Sequence, residues 1–228
     1  MNAAGGTTFI LIHGGWHGGW AYSDVIAHLT QRGHRALAPS LTGLADRQHL
    51  VGSAVNLETH ILDIANLLEW EQFTDVVLCG HSYGGMVVSG VADRLPDRIR
   101  ARVYLDAYVP DDGDSCWTLA GDRYRKVFLA GLTASGLACA PPQRPGTDAR
   151  RTPHPFASLV QSIRITGRIE QVTHKGFLFA LRHEDSPFRS LYERCLADPK
   201  WRTTALDCGH NVLAAEPKAV ADFLLEFA

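Results

Sequence analysis

Residues 75–86 read DVVLCGHSYGGM. Val76, Val77 and Leu78 dominate the first five, a short run of the kind carried by a strand buried on both faces. Gly80-His81-Ser82-Tyr83-Gly84 then interrupts it, and a helical pattern runs from Met86 to Arg94. A glycine-flanked serine between strand and helix has a mechanical reading, because the turn is too sharp for bulky side chains at its flanks. Such a turn pushes the Ser82 hydroxyl out at the carboxyl end of the strand, beside a helix N-terminus that favours negative charge. The segment predicts one strand–turn–helix unit of a parallel sheet, with a nucleophile on top.

Working outward, the rest of the chain repeats the alternation. Thr7–Ile12 and Arg35–Pro39 read as strands, with a helix over Tyr22–Arg32 between them that stops at Gly33, a suitable C-cap. A second helix spans Leu57–Trp70, with Leu57, Ile61, Ile64, Leu67 and Leu68 on one face. Arg102–Asp106, Phe177–Leu181 and Thr203–Leu206 complete the strands, and Pro217–Phe227 closes the chain as a helix. Short apolar strands alternating with helices predict a doubly wound, mostly parallel α/β sheet covered on both faces. Residues 110–167 break the rhythm: Cys116–Leu132 looks helical, then come APPQRPG and RTPHPF, with no strand expected. A structureless loop of that length is uncommon. The chain is therefore divided into a core of residues 1–110 and 168–228 and a small, mainly helical cap over 111–167.

The bulk properties exclude several classes. At 228 residues the chain suits one domain with an insertion, and 46% hydrophobic and 20% charged residues are ordinary for a globular protein. The net charge of -2 comes from interspersed 22 basic and 24 acidic residues, which argues against a nucleic-acid groove or a polybasic membrane anchor. No apolar stretch approaches a membrane span. Met1–Thr8 lacks the basic and apolar regions of a secretory signal, so a cytoplasmic protein is expected. Five widely spaced cysteines without a CxxC pair suit reduced thiols. The partner expected is a small-molecule substrate; a homodimer is compatible with the sequence, but nothing calls for nucleic acid or a membrane.

A serine hydroxyl needs a base at neutral pH, and the base needs an orienting acid. His210, in Asp207-Cys208-Gly209-His210-Asn211 after the last strand, is the candidate base, since its unperturbed pKa suits alternate proton acceptance and donation. Asp185 follows the penultimate strand and is the first choice of acid; neighbouring Glu184, and Asp106 one strand earlier, are the alternatives. A tetrahedral oxyanion needs amide donors, expected from Tyr83 and from Gly15 in His13-Gly14-Gly15-Trp16. His13 reads as structural. His13 and His17 lie in a glycine loop and no HExxH occurs, so neither metal nor other cofactor is expected. Trp16 beside the loop and Trp117, Phe128 and Phe156 of the cap are candidate walls for a pocket accepting an apolar or aromatic substrate.

With these residues in view, the chain resembles the small-cap α/β hydrolases, which include plant methylesterases, hydroxynitrile lyases and related bacterial esterases. The matching pieces are FILIHGGWHGGW at 9–20, LTGLADR at 41–47, NLETHILDIANLLEW at 56–70, DVVLCGHSYGGMV at 75–87, VYLDAYVPDDG at 103–113 and CGHNVLAAEP at 208–217. The resemblance implies an α/β-hydrolase fold, with Ser82 as nucleophile, His210 as base, Asp185 of the Glu184-Asp185 pair as acid, and Gly15 and Tyr83 at the oxyanion hole. The interval from Asp185 to His210 is shorter than in the family, which keeps Asp106 in view. The lyases of this group carry a threonine where this chain has Gly14 and a lysine where it has Asn211. Those departures point to hydrolysis of an ester or related acyl bond through an acyl-enzyme; a lyase or cyclase using the same site, or a ligand-binding protein on this fold, is the alternative.

Overall fold

The computed structural model describes residues 6–143 and 146–228. Most of the reading of Met1–Thr8, and Arg144 and Pro145 within the APPQRPG stretch, lie outside the described residues. The strands are β1 (Thr8–Ile12), β2 (Arg35–Leu37), β3 (Val76–His81), β4 (Ile99–Leu105), β5 (Ala138–Cys139), β6 (His154–Pro155), β7 (His174–Ala180) and β8 (Trp201–Leu206). Six of them form one parallel sheet in the order β2-β1-β3-β4-β7-β8. The doubly wound α/β expectation holds.

Successive strand residues face opposite sides, and that divides the core in two. Ile10 and Ile12 of β1, with Val76 and Leu78 of β3, join one hydrophobic cluster, while Phe9, Leu11, Val77 and Cys79 join the other. The helices α1 (Ser23–Gln31), α2 (Leu57–Trp70) and α3 (Gly84–Arg94) follow the expected positions. Val25 and Leu29 of α1 cover the second cluster, and the apolar faces of α2 and α3 cover the first. A capping box between Asn56 and Thr59 starts α2 by satisfying two amides that the helix leaves open.

Between β4 and β7 the structure departs from expectation. The predicted helix over 116–132 is two, α4 (Cys116–Leu119) and α5 (Gly121–Ala130), separated where Gly121 adopts a φ of 66°. That left-handed value suits glycine and starts a new helix axis. The segment also contains strands: β5 pairs antiparallel with β6, Cys139 opposite His154, just before α6 (Phe156–Val160). Two-residue strands leave no periodicity to read. Helix α7 (Arg189–Ala197), which buries Leu191 and Cys195, was also not foreseen, although those residues are four apart. The chain ends with α8 (Val212–Ala215) and α9 (Pro217–Leu225). Among the described residues no helix is long and apolar enough to cross a membrane, and all five cysteines are free and buried.

Candidate active site

The turn after β3 is built as its glycines require. A Cβ on Gly80 would lie 2.5 Å from the backbone of Gly84, and one on Gly84 would lie 2.5 Å from the Ile12 carbonyl oxygen. Between them Ser82 has a φ of 55°, a strained value for a non-glycine residue that projects its hydroxyl from the sheet's carboxyl edge. The Ser82 carbonyl accepts the amides of Gly85 and Tyr108, at 3.1 and 3.2 Å, which hold the turn.

His210 follows β8. Its Nε2 lies 3.0 Å from Ser82 Oγ, and its Nδ1 lies 2.6 Å from Oδ2 of Asp106. A carboxylate can only accept, so Nδ1 carries the hydrogen and the Nε2 lone pair faces the serine. His81 Nε2 donates to the His210 carbonyl at 2.9 Å and pins its backbone. Burial holds His81 well below the ordinary histidine range, so it contributes this hydrogen bond as a neutral ring.

The carboxylate at His210 is therefore Asp106 and not Asp185. Asp106 is 0% exposed, has a φ of 43°, and donates its amide to the Leu178 carbonyl at 2.6 Å. Burial works against its charge, but hydrogen bonds from His183 and His210 outweigh it and hold the carboxyl down at about 2. Asp185 has a side chain 78% exposed and pairs with Arg123 at 2.8 Å. Glu184 is also on the surface, its carbonyl accepting from Arg123. The reason is the turn after β7: Leu181 and Arg182 donate their amides to Leu206 and Cys208, which turns His183 inward and carries the next two residues out. His183 donates from Nδ1 to Asp106 Oδ2 at 2.7 Å; sequence reasoning weighed it only as a metal ligand and gave it no role, and its position beside the ED pair was the one further signal.

Gly15 and Tyr83 flank Ser82 from the ends of β1 and β3. Among the described residues neither amide N–H donates to a carbonyl or side chain, which leaves both open to an oxyanion. His13 is structural as read: Nδ1 donates to the Gly14 carbonyl at 2.9 Å, Nε2 accepts the Leu41 amide at 3.0 Å, and burial lowers its pKa to about 3. A Cβ on Gly14 would lie 3.0 Å from Ser82 Cβ and 2.9 Å from His81 Nδ1, so a threonine there would crowd the nucleophile.

The donor atoms of Asp106, His183 and His210 lie within 4.8 Å of one another, a spacing that a metal could use. Both Nδ1 atoms already point at the same carboxylate oxygen, and the free nitrogen of His210 faces Ser82. The donor set is arranged for proton transfer rather than for coordination.

A groove of about 830 Å³ is lined by His210 together with Trp16, His17, Trp20, Tyr124 and His183; Ser82 is not in its wall and adjoins it through the 3.0 Å contact with His210 Nε2. Arg150, Arg151, Asp148 and Glu184 line its outer part. Of the four aromatic residues expected to wall a pocket, Trp16 lines this groove and Trp117, Phe128 and Phe156 do not. Phe128 is 4% exposed, with its ring 6.0 Å from that of Trp16, while Trp117 and Phe156 pack against the first hydrophobic cluster. These rings anchor segment 111–167 to the first hydrophobic cluster, which needs apolar cover. Phe128→Ala is accordingly expected to cost about 3–5 kcal/mol of stability and to leave the ranking of kcat/KM among esters unchanged. Thermal denaturation with a substrate panel checks both, and an altered ranking at wild-type stability would return Phe128 to the pocket.

A serine on a strained elbow, a histidine whose Nε2 lone pair faces it, a buried carboxylate at the other ring nitrogen and two open amides are an arrangement that can carry out acyl transfer. The model of the alpha/beta hydrolase family matches residues 9–223, and the chain belongs to that family. It is a carboxylesterase-like enzyme of the α/β-hydrolase fold. Over 95% of its length it is 37% identical to the carbendazim hydrolyzing esterase of Nocardioides sp., covering 97% of that protein. It is 32% identical to salicylic acid-binding protein 2 of Nicotiana tabacum over 46% of this chain and 41% of the relative. An extracellular α/β-hydrolase from a Paenibacillus species superposes with a TM-score of 0.82 at 22% identity, over 97% of this chain and 99% of that one.

Proposed function

We propose that the chain hydrolyses small esters or carbamates bearing a flat aromatic group, through an acyl-enzyme on Ser82. The observation that carries this reading is the bridge made by His210, 3.0 Å from Ser82 Oγ and 2.6 Å from Asp106. Ser82 Oγ attacks the carbonyl carbon while His210 Nε2 takes its proton, and Asp106 stabilises the imidazolium that results. The amides of Gly15 and Tyr83 receive the oxyanion. Collapse expels the alcohol or amine with the proton from His210, and a water deprotonated by the same nitrogen releases the acid. Segment 111–167 serves as the cap over this site. Trp16 gives the groove an aromatic surface, while Arg150 covers the Trp20 ring at 4.0 Å, and the charged groups of the outer wall suit a substrate with polar atoms on its ring. Carbendazim is a reasonable test compound because the relative named above hydrolyses it.

A fluorophosphonate probe tests the reading directly. The expected result is a single adduct, found by peptide mapping on Ser82, formed at the same rate as the loss of p-nitrophenyl acetate hydrolysis. An adduct elsewhere, or none with activity intact, would reject Ser82 as nucleophile.

A further inference from the structure

His183 is the buried side chain nearest the site for which the triad has no use. It is not an alternative base, because its Nε2 lies 2.6 Å from the Tyr124 hydroxyl, directed away from Ser82. Its Nδ1 donates to Asp106 Oδ2, the oxygen that also accepts from His210. A carboxylate on a single side-chain bond can swing about that bond, and the acid of a triad works only when an oxygen stays in the plane of the imidazole it serves. Around Asp106 two donors other than His210 restrict that swing: the Ala180 amide at Oδ1, 3.2 Å away, and His183 at Oδ2, 2.7 Å away.

His183 is itself held on three sides. With Nδ1–H given to the carboxylate, Nε2 is left to accept the Tyr124 hydroxyl, so the phenol selects the tautomer that serves Asp106. Its ring stacks on that of His210 with centroids 4.4 Å apart, and Phe188 lies against both rings. Tyr124 belongs to α5, inside the segment read as the cap, so this contact ties the cap to the acid of the site.

We propose that His183 is a positioning residue for the reaction: it fixes the Asp106 carboxylate in the orientation His210 needs, and Tyr124 holds it in the donating tautomer. The inference rests on the reading of Ser82, His210 and Asp106 as the triad, and it adds His183 and Tyr124, which act through Asp106 and not on the reacting atoms.

The full chain carrying His183→Asn, His183→Gln, His183→Leu, Tyr124→Phe or Asp106→Asn is compared with wild type for kcat, KM, fluorophosphonate inactivation rate and melting temperature. The Asn amide reaches about as far as histidine Nδ1, whereas that of Gln reaches about as far as Nε2, so only Asn restores the donor to Asp106. His183→Leu and His183→Gln are expected to lose about 10- to 100-fold in kcat and in inactivation rate with little change in KM. His183→Asn should recover most of that loss, and Tyr124→Phe should fall between. Equal rates for the Asn and Gln variants, or wild-type kcat in a folded His183→Leu, would overturn the proposal. If Leu does not fold, the comparison of Asn with Gln decides alone. Retention of activity by Asp106→Asn would instead overturn the triad reading beneath it.

Discussion

Ser82→Ala is expected to lower kcat for p-nitrophenyl acetate by about 10⁴- to 10⁶-fold while the fold and melting temperature are kept. The size of the expected loss follows from the proposed acyl-enzyme on this hydroxyl; without it only binding and the two open amides near Gly15 and Tyr83 would remain to lower the barrier. The fold is kept because the backbone, not the hydroxyl, holds the elbow, through the bonds of its carbonyl to Gly85 and Tyr108. Alanine at a φ of 55° is somewhat strained, so a small drop in melting temperature is compatible with the role. Activity within a few fold of wild type would remove Ser82 from the mechanism.

Asp106→Asn is expected to lower kcat by about 10³- to 10⁴-fold, and Asp185→Asn to change it less than about twofold. An asparagine at 106 removes the charge that stabilises the His210 imidazolium and can present an N–H where an acceptor is needed, which favours the wrong tautomer. Asparagine offers one acceptor oxygen where Asp106 uses two, so either the Ala180 amide or the His183 and His210 pair faces an N–H, and some loss of stability accompanies the loss of rate. Asp185→Asn removes only an exposed ion pair with Arg123, the kind of contact that contributes little. Measuring both kcat values on protein of checked stability decides the assignment. A silent Asp106→Asn together with a crippled Asp185→Asn would mean that the loop after β7 rearranges during turnover.

The difference between these two aspartates marks where sequence reasoning stopped. Both lie between Ser82 and His210 in the chain, and both follow a strand, so the order serine, acid, histidine is satisfied by either. Three-dimensional register separates them: β7 pairs with β4 so that Leu105 lies beside Leu178, and Asp106 stands at the edge with its amide on the Leu178 carbonyl. The turn at 181–184 then turns inward one residue, His183, before the chain reaches the surface at Asp185. Nothing in composition or periodicity encodes which residue of that turn points inward.

Local chemistry, in contrast, was enough for the elbow. Gly80 and Gly84 around Ser82 specify a tight turn through steric limits that act within five residues, and the apolar run before it can only be an interior strand. The HGG loop and the position of His210 after the last strand were legible for the same reason. The aromatic residues of segment 111–167 were not, because Phe128 and Trp117 have the same hydrophobic character whether they face a ligand or the core, and only packing distinguishes the two. By itself the sequence determined the doubly wound sheet and the strand–turn–helix that carries Ser82, and it placed His210 after the last strand, since each follows from periodicity or from sterics between near neighbours. Tertiary structure alone decided the acid, its second histidine and the wall of the groove, because each of these depends on residues tens of positions apart meeting at distances that only the strand register and the turns between strands fix.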